Sequence, residues 1–279
     1  MTILTLTLII FLGSILAGFL GSLTGLGGGI IIIPMLALMF GIDIRYAIGA
    51  SIVAVIATSS GAAASYVKEG ITNIRLGMFL EIATTIGAIT GAFLAVYAPT
   101  HLIAIIFGCI LILSAILTLQ KKIHQIKNIP NSKMANLLRL GSNYPERNGT
   151  LINYSVQNVG GGFFMMLIAG ILSGLLGIGS GALKVLAMDN IMRIPFKVST
   201  TTSNFMIGVT AATSAVVYFQ RGYIDPGLCL PVTLGVLLGA SLGSRVLTRA
   251  QTKWLRIVFA IVITILALEM IYNGATHRI

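Results

Sequence analysis

Charge is what this chain has least of. Asp, Glu, Lys and Arg together make up 9% of its 279 residues, and only 7 residues are acidic. Soluble domains carry roughly 25% charged residues to keep their surface in water, so a soluble globular fold is excluded. Histidine (3), cysteine (2) and tryptophan (1) are also scarce. His101, His124 and His277 are scattered, without the spacing of a metal site. Cys109 and Cys229 fall inside apolar segments, where a thiol behaves as a small hydrophobe, so neither a disulfide nor a metal pair is expected. The sequence offers no His/Cys/Asp cluster and no serine beside an evident base, so neither an enzyme nor a cofactor is expected. No Lys or Arg precedes Arg45. A secretory signal begins with a basic region, so the first apolar segment is read as retained.

What the chain does have is long apolar blocks, with 56% hydrophobic residues overall. Spanning a bilayer takes about 20 consecutive apolar residues, and 2–23, 46–67, 76–97, 102–119 and 256–272 come close to or exceed that length. The fold class expected is all-α and polytopic in the membrane. The net charge of +11 sits at segment ends and in one central loop, where topogenic charges belong, and nucleic acid is not an expected partner.

The chain is also duplicated. Gly18-Phe-Leu-Gly-Ser-Leu-Thr-Gly-Leu-Gly-Gly-Gly29 matches Gly170-Ile-Leu-Ser-Gly-Leu-Leu-Gly-Ile-Gly-Ser-Gly181 at an offset of 152 residues. The same offset pairs Ser51 with Ser203, Thr58 with Thr210, Tyr66 with Tyr218, Gly87 with Gly239 and Gly91 with Gly243. Repeats of this kind define the organisation: a first membrane repeat over 1–119, a basic cytoplasmic linker over 120–158 and a second repeat over 159–279. Each half reads as five apolar segments. The second of each, 28–40 and 180–192, is too short to span. It follows directly on a Gly-rich stretch, which predicts a broken or re-entrant helix there.

Orientation follows from the basic residues. With the N-terminus outside, 14 Lys and Arg fall on the cytoplasmic side, only Arg45, Arg221 and Arg278 outside, and Lys184 within the apolar region. Both termini are therefore expected outside. An odd number of segments per half inverts one half relative to the other, as in secondary transporters.

Residues that can carry chemistry concentrate at the two breaks. Gly25, Gly27, Gly28 and Gly29, then Gly177, Gly179, Ser180 and Gly181, free backbone N–H groups ahead of a short helix, which suits an anion. The alternative is close helix packing through small-xxx-small patterns. Lys184, with Ile32 as its repeat partner, is a costly intramembrane charge that would neutralise a bound anion, or else snorkel or pair with Asp189. Ser22, Thr24, Ser51, Ser203 and Asn204 offer hydroxyls and an amide to substrate oxygens, or to neighbouring helices. Glu81, opposite Thr233 in the repeat, is a candidate proton carrier, with protons as the coupling ion.

The stretch from Gly18 to Pro34, with its echo at Gly170 to Gly181 and the basic central loop, resembles the TauE/SafE sulfite exporter family over nearly the whole chain. That resemblance implies a secondary carrier of sulfite, sulfonates or related sulfur-containing anions across the bacterial cytoplasmic membrane, with export as the expected direction. An anion channel, or a carrier of another small anion, is the alternative. Ser180 stands where the first motif has Gly28, and Leu186 where it has Pro34, so the two breaks need not be equivalent.

Overall fold

The computed structural model describes residues 3–24, 28–119, 132–145, 151–247 and 252–277. The first half comprises α1 (Ile3–Thr24), α2 (Gly29–Pro34), α3 (Ile44–Lys68), α4 (Ile74–Tyr97) and α5 (Thr100–Leu119). The second comprises α7 (Val159–Leu176), α8 (Gly181–Leu186), α9 (Phe196–Gln220), α10 (Pro226–Leu247) and α11 (Thr252–Ala275). The protein is an all-α polytopic membrane fold. Over their described residues α3, α4 and α7 are long and apolar enough to cross a bilayer, and further apolar helices stand beside them.

The outward surface is the inverse of a soluble one. Along α4 the exposed side chains are Met78, Ile82, Ile86 and Phe93, and along α10 they are Leu230, Leu234, Leu238 and Leu242. These stripes recur about once per helical turn. Water penalises such a surface and hydrocarbon does not.

The short segments end alike. Each runs on into a π-helical turn, Met35–Met39 after α2 and Ala187–Ile191 after α8. Of the two short helices only α2 contains a proline, Pro34. The wide turn therefore does not depend on proline. It recurs with matching long-range closures, Ile42 N–H to Leu36 O and Ile194 N–H to Met188 O. Including its π turn, the α2 segment covers Gly29–Met39. At 1.5 Å per residue that is roughly 16 Å, about half a bilayer core.

Helix packing crosses between the halves. The dominant neighbour of α1 is α10 and that of α4 is α7, while α3 lies on α9 and α5 on α11. Exchanging the halves at the 152-residue offset turns the α1–α10 pair into α7–α4 and maps α3–α9 and α5–α11 each onto itself. Glycine permits the closest approaches: a Cβ on Gly87 would strike the Leu167 carbonyl and Gly170 Cα, and one on Gly239 would strike the Ile15 carbonyl.

The central loop is partly folded, which its composition does not announce. It forms α6 (Lys133–Leu137) and a hairpin of β1 (Ser142–Pro145) and β2 (Leu151–Tyr154), antiparallel with Ser142 opposite Tyr154. Ala135, Leu140, Tyr144, Tyr154 and Val156 are buried in one cluster with Leu76 of α4 and with Met188, Met192 and Ile194. Asn73 ties this cap to the bundle. Its amide nitrogen donates to Leu140 O at 2.9 Å and to the Tyr154 hydroxyl at 2.7 Å. Its backbone N–H donates to Thr202 Oγ1 at 3.1 Å, and its Oδ1 caps α4 by accepting from Leu76 N–H at 3.0 Å.

Burial pushes the Tyr154 phenol up to about 12, against the opposing hydrogen bond from Asn73. An unfolded tyrosine ionises near pH 10. Between about pH 10 and 12 the unfolded chain has released a proton that the folded chain still holds, so stability declines across that window as pH rises. Tyr154→Phe is expected to remove this part of the decline. Denaturation midpoints of the two proteins, compared across alkaline pH, check it; parallel curves would count against the burial argument.

Candidate substrate site

Gly29, just after the first break, and Gly177, in the second, come together in the interior. α7 ends at Gly177, which is left-handed (φ 66°) and whose N–H closes the helix on Ser173 O at 2.8 Å. Gly179 (φ 73°) and Ser180 (φ 48°) continue the turn into α8. A left-handed backbone is ordinary for glycine and strained for serine, so Ser180 marks a constrained point. In the other half the break is flanked by Gly28, just before α2. Gly29 packs beside Ser51, and the Ser51 hydroxyl donates to Gly177 O at 3.0 Å. One hydroxyl thus sits beside Gly29 and bonds Gly177. The repeat-related Ser203 hydroxyl donates to Gly181 O at 3.3 Å.

The described glycines are closely packed. A Cβ on Gly28 would meet Val236, on Gly29 Ser51 and Val55, on Gly177 Ile48, and on Gly179 or Gly181 Ile207. Gly25 and Gly27 lie outside the described residues, as do the side chains of Ser22 and Thr24 at the end of α1. Asn204 is half-buried on α9. The Ser180 hydroxyl is buried and has no hydrogen-bond partner among the described residues.

The charged residues also converge. Lys184 on α8 is fully buried, and its ammonium donates to Thr210 Oγ1 on α9 at 2.5 Å. Thr210 Oγ1 lies 2.7 Å from Glu81 Oε1 on α4 and 2.8 Å from Met206 O. A threonine hydroxyl has one proton to give and lone pairs to accept with. It accepts from Lys184 and donates to the carboxylate or to the Met206 carbonyl. Glu81 and Lys184, separate candidates in the sequence, therefore flank one oxygen atom. Thr85 Oγ1 lies 3.5 Å from the same Glu81 oxygen, while Thr84 donates to the backbone of Leu80 and Glu81. Glu81 Oε2 is buried without a partner among the described residues.

Sequence reasoning missed Thr210 as the bridge, although the repeat already paired it with Thr58. Nothing in a threonine on an apolar helix says which charges meet at it. The repeat-related positions carry no such pair. There Ile32 replaces Lys184, Thr58 Oγ1 hydrogen-bonds its own helix, and Thr233 stands in place of Glu81. The duplication has diverged to leave a single charge pair at the junction of three helices.

This arrangement is that of a polytopic membrane transporter, with interrupted helices meeting inside the bundle around buried polar groups. The Sulfite exporter TauE/SafE family matches residues 10–270, and the chain belongs to that family. Among curated relatives it is 29% identical to the probable membrane transporter protein YunE of Bacillus subtilis, over 93% of this chain and 95% of that protein. It is 28% identical to the probable membrane transporter protein YdhB of the same organism, over 85% and 87%. A probable membrane transporter protein of Methanocaldococcus jannaschii is 26% identical over 96% of each chain. No solved structure matches the chain.

Proposed function

We propose that this transporter moves small sulfur-containing anions, sulfite or sulfonates, outward across the cytoplasmic membrane as a secondary carrier. The observation that carries the reading is the fully buried Lys184 one turn beyond the unpaired Ser180 hydroxyl, on the short helix that follows the second break. A buried ammonium and a buried hydroxyl without a partner, both at the start of one short helix, suit an oxyanion, and a buried charge without such use is expensive. The family description, sulfite exporter, supports the sulfur chemistry. In this reading residues 1–119 and 159–279 are the two inverted membrane repeats. Both termini lie outside and the partly folded linker faces the cytoplasm, as its basic residues favour.

Two measurements test the reading. Purified protein in liposomes is expected to show saturable sulfite or sulfonate flux with trans-stimulation. Flux without trans-stimulation would make it a channel, and no flux of sulfite or of any sulfonate would end the anion reading. A cysteine at the exposed Asn143, in a background lacking Cys109 and Cys229, should resist an impermeant thiol reagent added to intact cells. Ready labelling there would reverse the orientation.

A further inference from the structure

We propose that anion binding at Lys184 is coupled to uptake of one proton by Glu81, so that a singly charged anion and a proton enter the site together. The inference rests on the anion reading above and adds the coupling and the charge class of the substrate. In the structure the Lys184 ammonium is already engaged. It and Glu81 Oε1 sit on either side of the Thr210 hydroxyl, at 2.5 and 2.7 Å. With Glu81 ionised the pair is neutral, and an anion added to it leaves the buried site with an unbalanced negative charge. Burying uncompensated charge is strongly unfavourable. A proton on Glu81 removes that excess: ammonium, carboxylic acid and monoanion again sum to zero.

The geometry provides a place for the proton. Glu81 Oε2 is the buried carboxylate oxygen without a hydrogen-bond partner among the described residues, and the Glu81 residue is only 5% exposed. A proton there leaves the Oε1–Thr210 contact in place. The O–H formed replaces one carried in from water, and no bond between heavy atoms changes. Thr210 can then give up the bond to Oε1 and turn its own hydrogen towards Met206 O, 2.8 Å away, which loosens the tie between the two groups. The Lys184 ammonium, with two N–H groups beyond the one given to Thr210, turns them to the anion beside Ser180.

Other ionisable groups on the surrounding helices have their own engagements or stand apart. α7 contains none. On α9, Lys197 donates to Pro145 O and the Tyr218 hydroxyl donates to Gly174 and Leu175 carbonyls. α3 carries Arg45 and Tyr46 at one end and Tyr66 and Lys68 at the other; α4 carries Arg75 and Tyr97 at its ends. Asp189 lies on the π turn after α8 and is buried. It is the competing carboxylate, and the Glu81 variant below separates it.

The experiment is calorimetric titration of the purified protein with methanesulfonate, a monoanion that stays ionised near neutral pH, in buffers of different ionisation enthalpy. The expected result is uptake of about one proton per anion, with affinity falling about tenfold for each pH unit of rise over the range where Glu81 is ionised beforehand. Glu81→Gln keeps its amide beside Thr210 and should bind methanesulfonate without proton uptake and with flat pH dependence. Binding to the wild type with no proton uptake overturns the coupling while leaving the anion reading intact, and this arm needs no variant to fold. Undiminished uptake in Glu81→Gln moves the proton to another group, Asp189 first, and overturns the assignment. No binding of methanesulfonate or of sulfite defeats the anion reading itself, and the coupling with it.

Discussion

Lys184→Met is expected to weaken anion binding by about 10- to 100-fold, the loss that follows from removing a charge-assisted hydrogen bond of about 1.5–3 kcal/mol. It should also destabilise the fold. Lys184 is completely buried, and its removal leaves the Glu81 carboxylate inside the protein with no counter-charge across Thr210. Breaking one side of a buried charge pair typically costs about 3–5 kcal/mol. The double replacement Lys184→Met with Glu81→Gln takes away both charges at similar volume, so it should regain much of the stability while binding stays lost. Thermal midpoints of the four corners of this cycle in detergent measure the coupling. If the double variant is no more stable than Lys184→Met alone, the charges do not sense each other through Thr210. Lys184→Arg should retain part of the affinity, because charge survives while the donor geometry changes.

The second large effect concerns helix packing alone. Gly87→Ala places a methyl group on the Leu167 carbonyl and against Gly170 Cα, and Gly239→Ala does the same to the Ile15 carbonyl. Backbone cannot swing aside as a side chain does, so α4 must part from α7, or α10 from α1. Overpacking commonly costs about 1–3 kcal/mol, and an unyielding backbone contact belongs at or above the top of that range. Gly61 is the control, because a Cβ there meets nothing within 4 Å. Gly61→Ala, inside α3, should be neutral or stabilise by up to about 1 kcal/mol. Equal melting temperatures for Gly87→Ala and Gly61→Ala would show that α4 and α7 are less closely seated than described.

Much of the architecture is legible because the membrane imposes a simple rule on sequence. Apolar blocks of spanning length must be helices, and the short segments 28–40 and 180–192 correspond to Gly29–Met39 and Gly181–Ile191 with their π turns. The glycine clusters are legible as candidate breaks because they stand directly before segments too short to span, with close helix packing as the alternative. Their partners are not. That Ser51 reaches Gly177 is a matter of how α3 lies on the second half, and no local pattern encodes it. The same limit hid the meeting of Glu81 with Lys184, more than a hundred residues apart. The folded cap was missed for a different reason. Its few apolar residues, Leu140, Tyr144, Tyr154 and Val156, are diluted among basic and polar ones, and they acquire a core only against Leu76 and Met188. Asn73 offered a local clue, standing just before an apolar helix where a capping side chain belongs.

The exchange of partners between halves bears on how the chain is made. When a ribosome has released residues up to Leu119, α1 and α4 have entered the bilayer, but α10 and α7, their main neighbours, have not been synthesised. Glycine faces shaped for another backbone then stand open to lipid or to the insertion machinery. α7 arrives first and gives α4 its neighbour, whereas α1 waits for α10, nearly the whole length of translation. The nascent chain therefore passes through a long interval of incomplete assembly, which for α5 ends only when α11 is made.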